Sequence, residues 1–205
     1  YNPGAGLNNT ANPDLTAGNF AVRQFNGKVI IAGVFDQFNG NPVPGLVRLN
    51  TDGSYDNSFT PGTATTPAGV NGLFVQAGGD VIVFGNFTTF SGFPRSNIVR
   101  LAAANGAVDA GFNTAIFAAY ADKGDIEGVA QQTDGKLLVG GLFRTLGTDT
   151  TQGIVRLNTN GTRDGTFDTS VGTGEAFGAE CFAIRSADNK IFVGNGQDPE
   201  HGEGV

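Results

Sequence analysis

The chain has 205 residues, enough to bury a substantial core, and it carries 33 Gly and 17 Phe but no Met and no Trp. Only 15% of residues are charged and the net charge is −7, a balance unsuited to nucleic acid or to an anionic membrane surface. A single cysteine, Cys181, rules out an intrachain disulfide and a cysteine metal cluster.

No apolar run approaches the roughly 20 residues of a membrane-spanning helix. The start lacks the charged and apolar regions of a signal peptide. Position 1 is Tyr, which points to a processed chain or a fragment.

In chain order, a short apolar stretch FAVRQ (20–24) precedes NGKVIIAGVF (26–35) and VRLNTDGSYDNSF (47–59). The succession returns as LFVQA (73–77), GGDVIVFGNF (78–87) and VRLAAANGAVDAGF (99–112). It returns again as VAQQT (129–133), DGKLLVGGLF (134–143) and VRLNTNGTRDGTF (155–167). A last, partial copy holds FAIRS (182–186) and DNKIFVGNG (188–196). The spacings between Phe35, Phe87 and Phe143 equal those between Arg48, Arg100 and Arg156. A repeat of about 50 residues is therefore the organising feature.

Each full copy reads as four strands, a to d; in the second they fall near 72–77, 80–87, 97–102 and 107–112. Strand b is apolar on both faces, as in a sheet covered on both sides. Gly-rich turns separate the strands, and no stretch has helical periodicity. The fold class predicted is all-β, a β-propeller-type repeat of four-stranded antiparallel blades. The units run approximately 1–58, 59–111, 112–166 and an incomplete 167–205, within one repeat domain or fragment of a larger propeller.

The VRL segments carry a register argument. A three-residue loop at Thr51–Gly53, with Gly53 at positive φ, places Arg48 opposite Asp56. The same loop at Thr159–Gly161 places Arg156 opposite Asp164. The second copy has one extra residue, and a loop Ala103–Gly106 absorbs it and keeps Arg100 opposite Asp109. Three cross-strand ion pairs are predicted, which pin register in a Gly-rich sheet.

Together, FNPG-like starts, DGK-[apolar]-GG-F and VRLN-DGS-D-SF resemble the delta-60 repeat of bacterial secreted and surface proteins. The resemblance covers nearly the whole chain and fails in the last copy, where Asn189 replaces the turn Gly. It implies a β-propeller-like fold, a bacterial extracellular or cell-surface location, and no general assigned activity.

Catalytic machinery is not evident. The one histidine, His201, lies in QDPEHGEGV beside Asp198, Glu200 and Glu203, which reads as a solvated tail. The NTDGSYD and NTNGTRD turns resemble calcium loops only faintly, because no Glu closes them. Cys181 lies in an apolar stretch and is expected to be a small buried hydrophobe. No catalytic residue, metal or cofactor is expected.

The units differ most in the b–c loops, DQFNGNPVPG (36–45), TTFSGFPRSN (88–97) and RTLGTDTTQG (144–153). Their lengths are equal, and Asn41, Phe93 and Asp149 correspond. The longest d–a loop adds Phe117, Tyr120, Asp122 and Lys123. A constant frame with variable loops suits binding. The candidate binding residues are Phe93, Arg95, Tyr120, Asp122, Arg144 and Asp149.

The function expected is binding or scaffolding of a protein or surface polysaccharide. The alternatives are a carbohydrate-active enzyme on a propeller, or an architectural subunit of a surface assembly. Strand b of the last copy, KIFVG (190–194), should present an unpaired apolar edge. Further blades of a longer chain or another subunit would then complete it.

Overall fold

A computed structural model describes residues 6–10, 21–114, 117–118, 125–168, 179–185 and 187–195. The chain divides into two compact units, Tyr1–Ala110 and Gly111–Val205. All regular structure among the described residues is β, in antiparallel pairs. No helix among them is long and apolar enough to cross a membrane.

The first unit holds β1 (Leu7–Asn8), β2 (Ala21–Phe25), β3 (Lys28–Ala32), β4 (Gln37–Phe38), β5 (Asn41–Pro42) and β6 (Leu46–Leu49). It continues with β7 (Ala64–Val75), β8 (Val81–Phe90), β9 (Phe93–Pro94) and β10 (Ile98–Leu101). The second unit holds β11 (Phe117–Ala118), β12 (Asp125–Gln131), β13 (Leu137–Leu142), β14 (Thr145–Leu146), β15 (Asp149–Thr150) and β16 (Ile154–Leu157). It ends with β17 (Ala179–Arg185) and β18 (Lys190–Asn195).

Strand b is the middle of each full sheet: the orders are β2-β3-β6, β7-β8-β10 and β12-β13-β16. Registers repeat, so that Ile30, Ile82 and Leu138 face Arg48, Arg100 and Arg156. Strand d shrinks to one bridge per sheet, Leu49 to Tyr55, Leu101 to Val108 and Leu157 to Arg163. The reason is local in the first and third copies. One residue past the bridge, Asp56 Oδ1 accepts from the Ser58 N–H at 3.1 Å and Asp164 Oδ1 from the Thr166 N–H at 3.0 Å. These Asx turns bend the chain off the ladder.

The b–c segments are not open loops. They form two-residue hairpins, β4–β5, the end of β8 with β9, and β14–β15. Asn39 and Gly40 have φ of 49° and 79°, and Ser91 and Gly92 have 50° and 80°. Two successive positive φ values make the type I′ turn that suits strand twist. A third short strand joins two of these hairpins: Leu7 pairs with Phe38, and Phe117 with Leu146. In the second repeat, β7 runs on to pair Ala64 with Phe90.

Hairpin roots fold back onto a sheet face. Phe35, Phe38 and Val43 form one cluster with Val47 and Leu49, flanked by Leu7, Val29, Ile31 and Tyr55. On the other face of β3, Ile30, Ala32 and Leu46 join a larger cluster from the second repeat, including Val81, Val83, Phe87, Phe90, Val99 and Leu101. Strand b is thus covered on both faces. In the second unit, Phe117 and Phe143 meet edge to face at 4.9 Å. Gly140 lets β17 lie close, because a Cβ there would overlap the Ala179 carbonyl oxygen.

Cys181 departs from expectation and is exposed. Its strand pairs only with β18 among the described residues, and the pairing slips between Ala179 and Cys181. The two-stranded sheet cannot bury both faces of this segment.

Candidate functional site

Two sets of side chains stand on this frame. The first lies on the c–d hairpins. Asn50 N–H donates to the Ser54 carbonyl and Gly53 N–H to the Asn50 carbonyl, both at 2.9 Å. With φ of 83°, Gly53 closes a three-residue loop. The third repeat repeats this at Asn158, Thr162 and Gly161, with Gly161 at 87°. In the second repeat, the Ala102 N–H reaches the Ala107 carbonyl at 2.8 Å, a loop longer by one residue.

Arginine and aspartate therefore meet in every full repeat. Arg48 Nε donates to Asp56 Oδ2 at 2.7 Å, Arg100 Nε to Asp109 Oδ2 at 2.8 Å, and Arg156 Nε to Asp164 Oδ2 at 2.8 Å. The setting differs: the side chains of Arg48 and Asp56 are 9% and 5% exposed, those of Arg100 and Asp109 16% and 31%.

Sequence reasoning missed a third member. Lys28 Nζ donates to Asp56 Oδ2 at 2.7 Å, and Lys136 Nζ to Asp164 Oδ2 at 2.8 Å. The signal was present, since both lysines follow the a–b turn Gly. Strand b, however, is separated from strand d by strand c, which hid the contact. Asp80 takes this place in the second repeat and accepts from the Ala103 N–H at 2.9 Å.

Arg48 also reaches beyond its own repeat. Nη1 donates to the Ala103 carbonyl, Nη2 to the Ala104 carbonyl at 3.2 Å, and the guanidinium lies 4.2 Å from the Phe59 ring centroid. Thr60 N–H donates to the Asn105 carbonyl at 2.9 Å. The c–d turn of the second repeat is thus fastened to the first.

Burial pushes the Asp56 carboxyl up, but hydrogen bonds from Lys28, Ser58 and Arg48 outweigh it and hold the group well below the usual carboxylate range. Lys136, then Thr166 and Arg156, hold Asp164 equally low. Carboxylates fixed in this way are poor proton donors.

The second set lies on the b–c hairpins. Phe93 is 45% exposed, and the Arg95 guanidinium carbon sits 5.8 Å from its ring centroid. Arg95 Nη1 donates to the Pro94 carbonyl at 2.8 Å. The first unit thus brings Phe93 and Arg95 together. In the second unit, Asp149 is exposed and pairs with Arg163 on strand d at 3.0 Å, a partner that sequence reasoning did not name. Arg144 is half-buried beside β14. Tyr120 and Asp122 lie outside the described residues, as do Lys123, Asp198, Glu200, His201 and Glu203.

A third group of acids lies in the second unit. Burial, then Glu180 and Asp125, raise the Glu127 carboxyl above its ordinary range. Among the described residues, no group of three or more His, Cys, Asp or Glu is placed to hold a metal ion.

A family model described as a domain of unknown function (DUF5122) beta-propeller matches residues 24–59, 76–112 and 132–167, together more than half of the chain. Each match runs from strand a or its turn to the Phe that ends strand d. No curated protein and no solved structure matches the chain.

Proposed function

The chain belongs to the DUF5122 beta-propeller family, and on that premise we propose that it is a non-catalytic extracellular binding or scaffolding domain that contacts a protein or surface glycan. The delta-60 likeness of its repeats suggests a bacterial cell surface as the setting. One observation carries the reading. Hairpins of equal length, rooted in buried Phe38, Phe90 and Leu146, present unlike side chains, Asn41, Phe93 and Asp149, at corresponding sites. Aromatic and Arg side chains are favoured anchors at interfaces, and Phe93 with Arg95 is such a couple. The remaining candidates are Arg144 and Asp149, with Tyr120 and Asp122 on the d–a segment.

An array of bacterial polysaccharides probed with the labelled chain tests the proposal, with a Phe93→Ser/Arg95→Ala variant in parallel. The expected result is a discrete set of ligands whose signal drops at least tenfold in the variant. Binding that is unchanged by the double substitution, in a variant that melts at the same temperature, would count against this face.

A further inference from the structure

The three b–c hairpins share one backbone course. Where the chain turns back, the Val43 N–H donates to the Asp36 carbonyl at 2.9 Å, the Arg95 N–H to the Thr88 carbonyl at 3.1 Å and the Thr151 N–H to the Arg144 carbonyl at 2.6 Å. Val43 and Thr151 are 4% and 3% exposed, small side chains packed inside. The second repeat puts a half-buried arginine in that place. Its Nε is buried with no hydrogen-bond partner, and Nη1 donates to the Pro94 carbonyl. An orphaned buried donor costs stability, and Val43 shows that the hairpin does not require one. Nor does Arg95 meet an acid among the described residues, whereas Arg48, Arg100, Arg156, Arg163 and Arg185 each pair with an aspartate. Two residues before it, Phe93 is 45% exposed, with the Arg95 guanidinium carbon 5.8 Å from its ring centroid. This exposure belongs to the hairpin itself: the corresponding Asp149 is exposed too, and full repeats precede and follow the second.

We infer, on the binding reading proposed above, that Phe93 and Arg95 form a subsite for a hexuronate unit of a polysaccharide. The apolar face of the sugar ring lies on Phe93, and its carboxylate takes the outer edge of the Arg95 guanidinium. A planar fork of donors matches a carboxylate in shape as well as charge. Arg95 thus sets specificity, and Phe93 supplies contact area. A sugar fits the place better than an acidic protein does. The exposed tip, Ser91 to Pro94, falls far short of the roughly 800 Å² that each partner gives to a stable protein interface. The net charge of −7 opposes a dense polyanion, so the acid belongs among neutral sugars.

The test titrates the full chain by calorimetry at about 0.15 M salt. The probes are a hyaluronan hexasaccharide, in which glucuronate alternates with a neutral sugar, a rhamnogalacturonan hexasaccharide, in which galacturonate does, and the methyl ester of each. At least one acid should bind saturably and about tenfold more tightly than its ester. Arg95→Val should abolish that preference and melt no lower than the parent, because the orphaned Nε is gone. Phe93→Ser should weaken acid and ester alike. Equal affinity for acid and ester, still lost in Phe93→Ser, overturns the inference and leaves the binding reading standing. No saturable binding of either acid at millimolar sugar also overturns it, and the polysaccharide array judges the reading separately. A hexaglutamate peptide that binds as tightly as the sugars assigns the face to acidic protein instead. An Arg95→Val chain that melts far below the parent makes Arg95 a structural residue and overturns the inference as well.

Discussion

Arg48 and Asp56 face each other across adjacent strands, joined by a backbone bond from the Asp56 N–H to the Arg48 carbonyl at 2.9 Å and a side-chain bond at 2.7 Å. One residue pair thus fixes both the register of the chain and the charge of the turn. Lys28, Ser58 and the carbonyls of Ala103 and Ala104 complete the arrangement.

Removing the arginine should cost unequal amounts in the two repeats of the first unit. Arg48→Ala strips a buried carboxylate of one of its two cations and should destabilise by about 3 kcal/mol. Arg100→Ala acts on a half-exposed pair and should cost about 1 kcal/mol. Urea unfolding at neutral pH measures both, and a reversed order refutes the reading.

Acid should weaken the fold through Asp56 and Asp164. Both are depressed in the folded state, so the unfolded chain takes up protons first as pH falls. Their contribution is present above about pH 4 and is lost as pH drops toward the folded-state values. Asp56→Asn should lower stability at pH 7 and flatten its decline below pH 4, as read from denaturant midpoints across pH.

Glu127 has the opposite sign. Its raised carboxyl is strained when ionised, so the folded state gains stability as pH falls through its titration. Glu127→Gln should raise the melting temperature at pH 7, and the gain should vanish toward pH 4. A gain that persists at pH 4 would assign the effect to packing instead.

The two kinds of turn glycine should respond differently to Ala. At Gly40, with φ of 79° and open space around it, only left-handed strain applies, about 1–2 kcal/mol. At Gly161, φ is 87° and a Cβ would also meet the Asn113 backbone nitrogen at 3.0 Å. Gly161→Ala should therefore cost more, and thermal melts of the two variants compare them.

Much of the frame is legible in the residues. The repeat, the apolar strand b and the Gly53 and Gly161 turns follow from spacing, because a Gly at fixed offset from Arg and Asp leaves one register open. Three features are not legible in that way. Strand d looks like an ordinary strand until Asp56 and Ser58 close their own turn. Two of the hairpins, β4–β5 and β14–β15, rest on strands of two residues, too short for alternation to register, although Asn39-Gly40 carries the type I′ signature. Cys181 sits among apolar neighbours whose burial depends on strands beyond its own pair. For the binding face, sequence comparison locates where the repeats differ, whereas the pairing of Asp149 with Arg163 required the fold.

Because the Arg48 guanidinium ends on carbonyls of the second repeat, the first repeat does not satisfy its own polar groups. Where each new copy begins, the backbone closes on the same turn, the Thr60 N–H on the Asn105 carbonyl at 2.9 Å and the Asn113 N–H on the Asn160 carbonyl at 3.0 Å. An excised repeat would carry dangling donors at the very turn that makes it recognisable. Such a chain should melt by neighbourly blocks rather than blade by blade, and its evolutionary currency is the addition of adjoining copies, not the independence of any one of them.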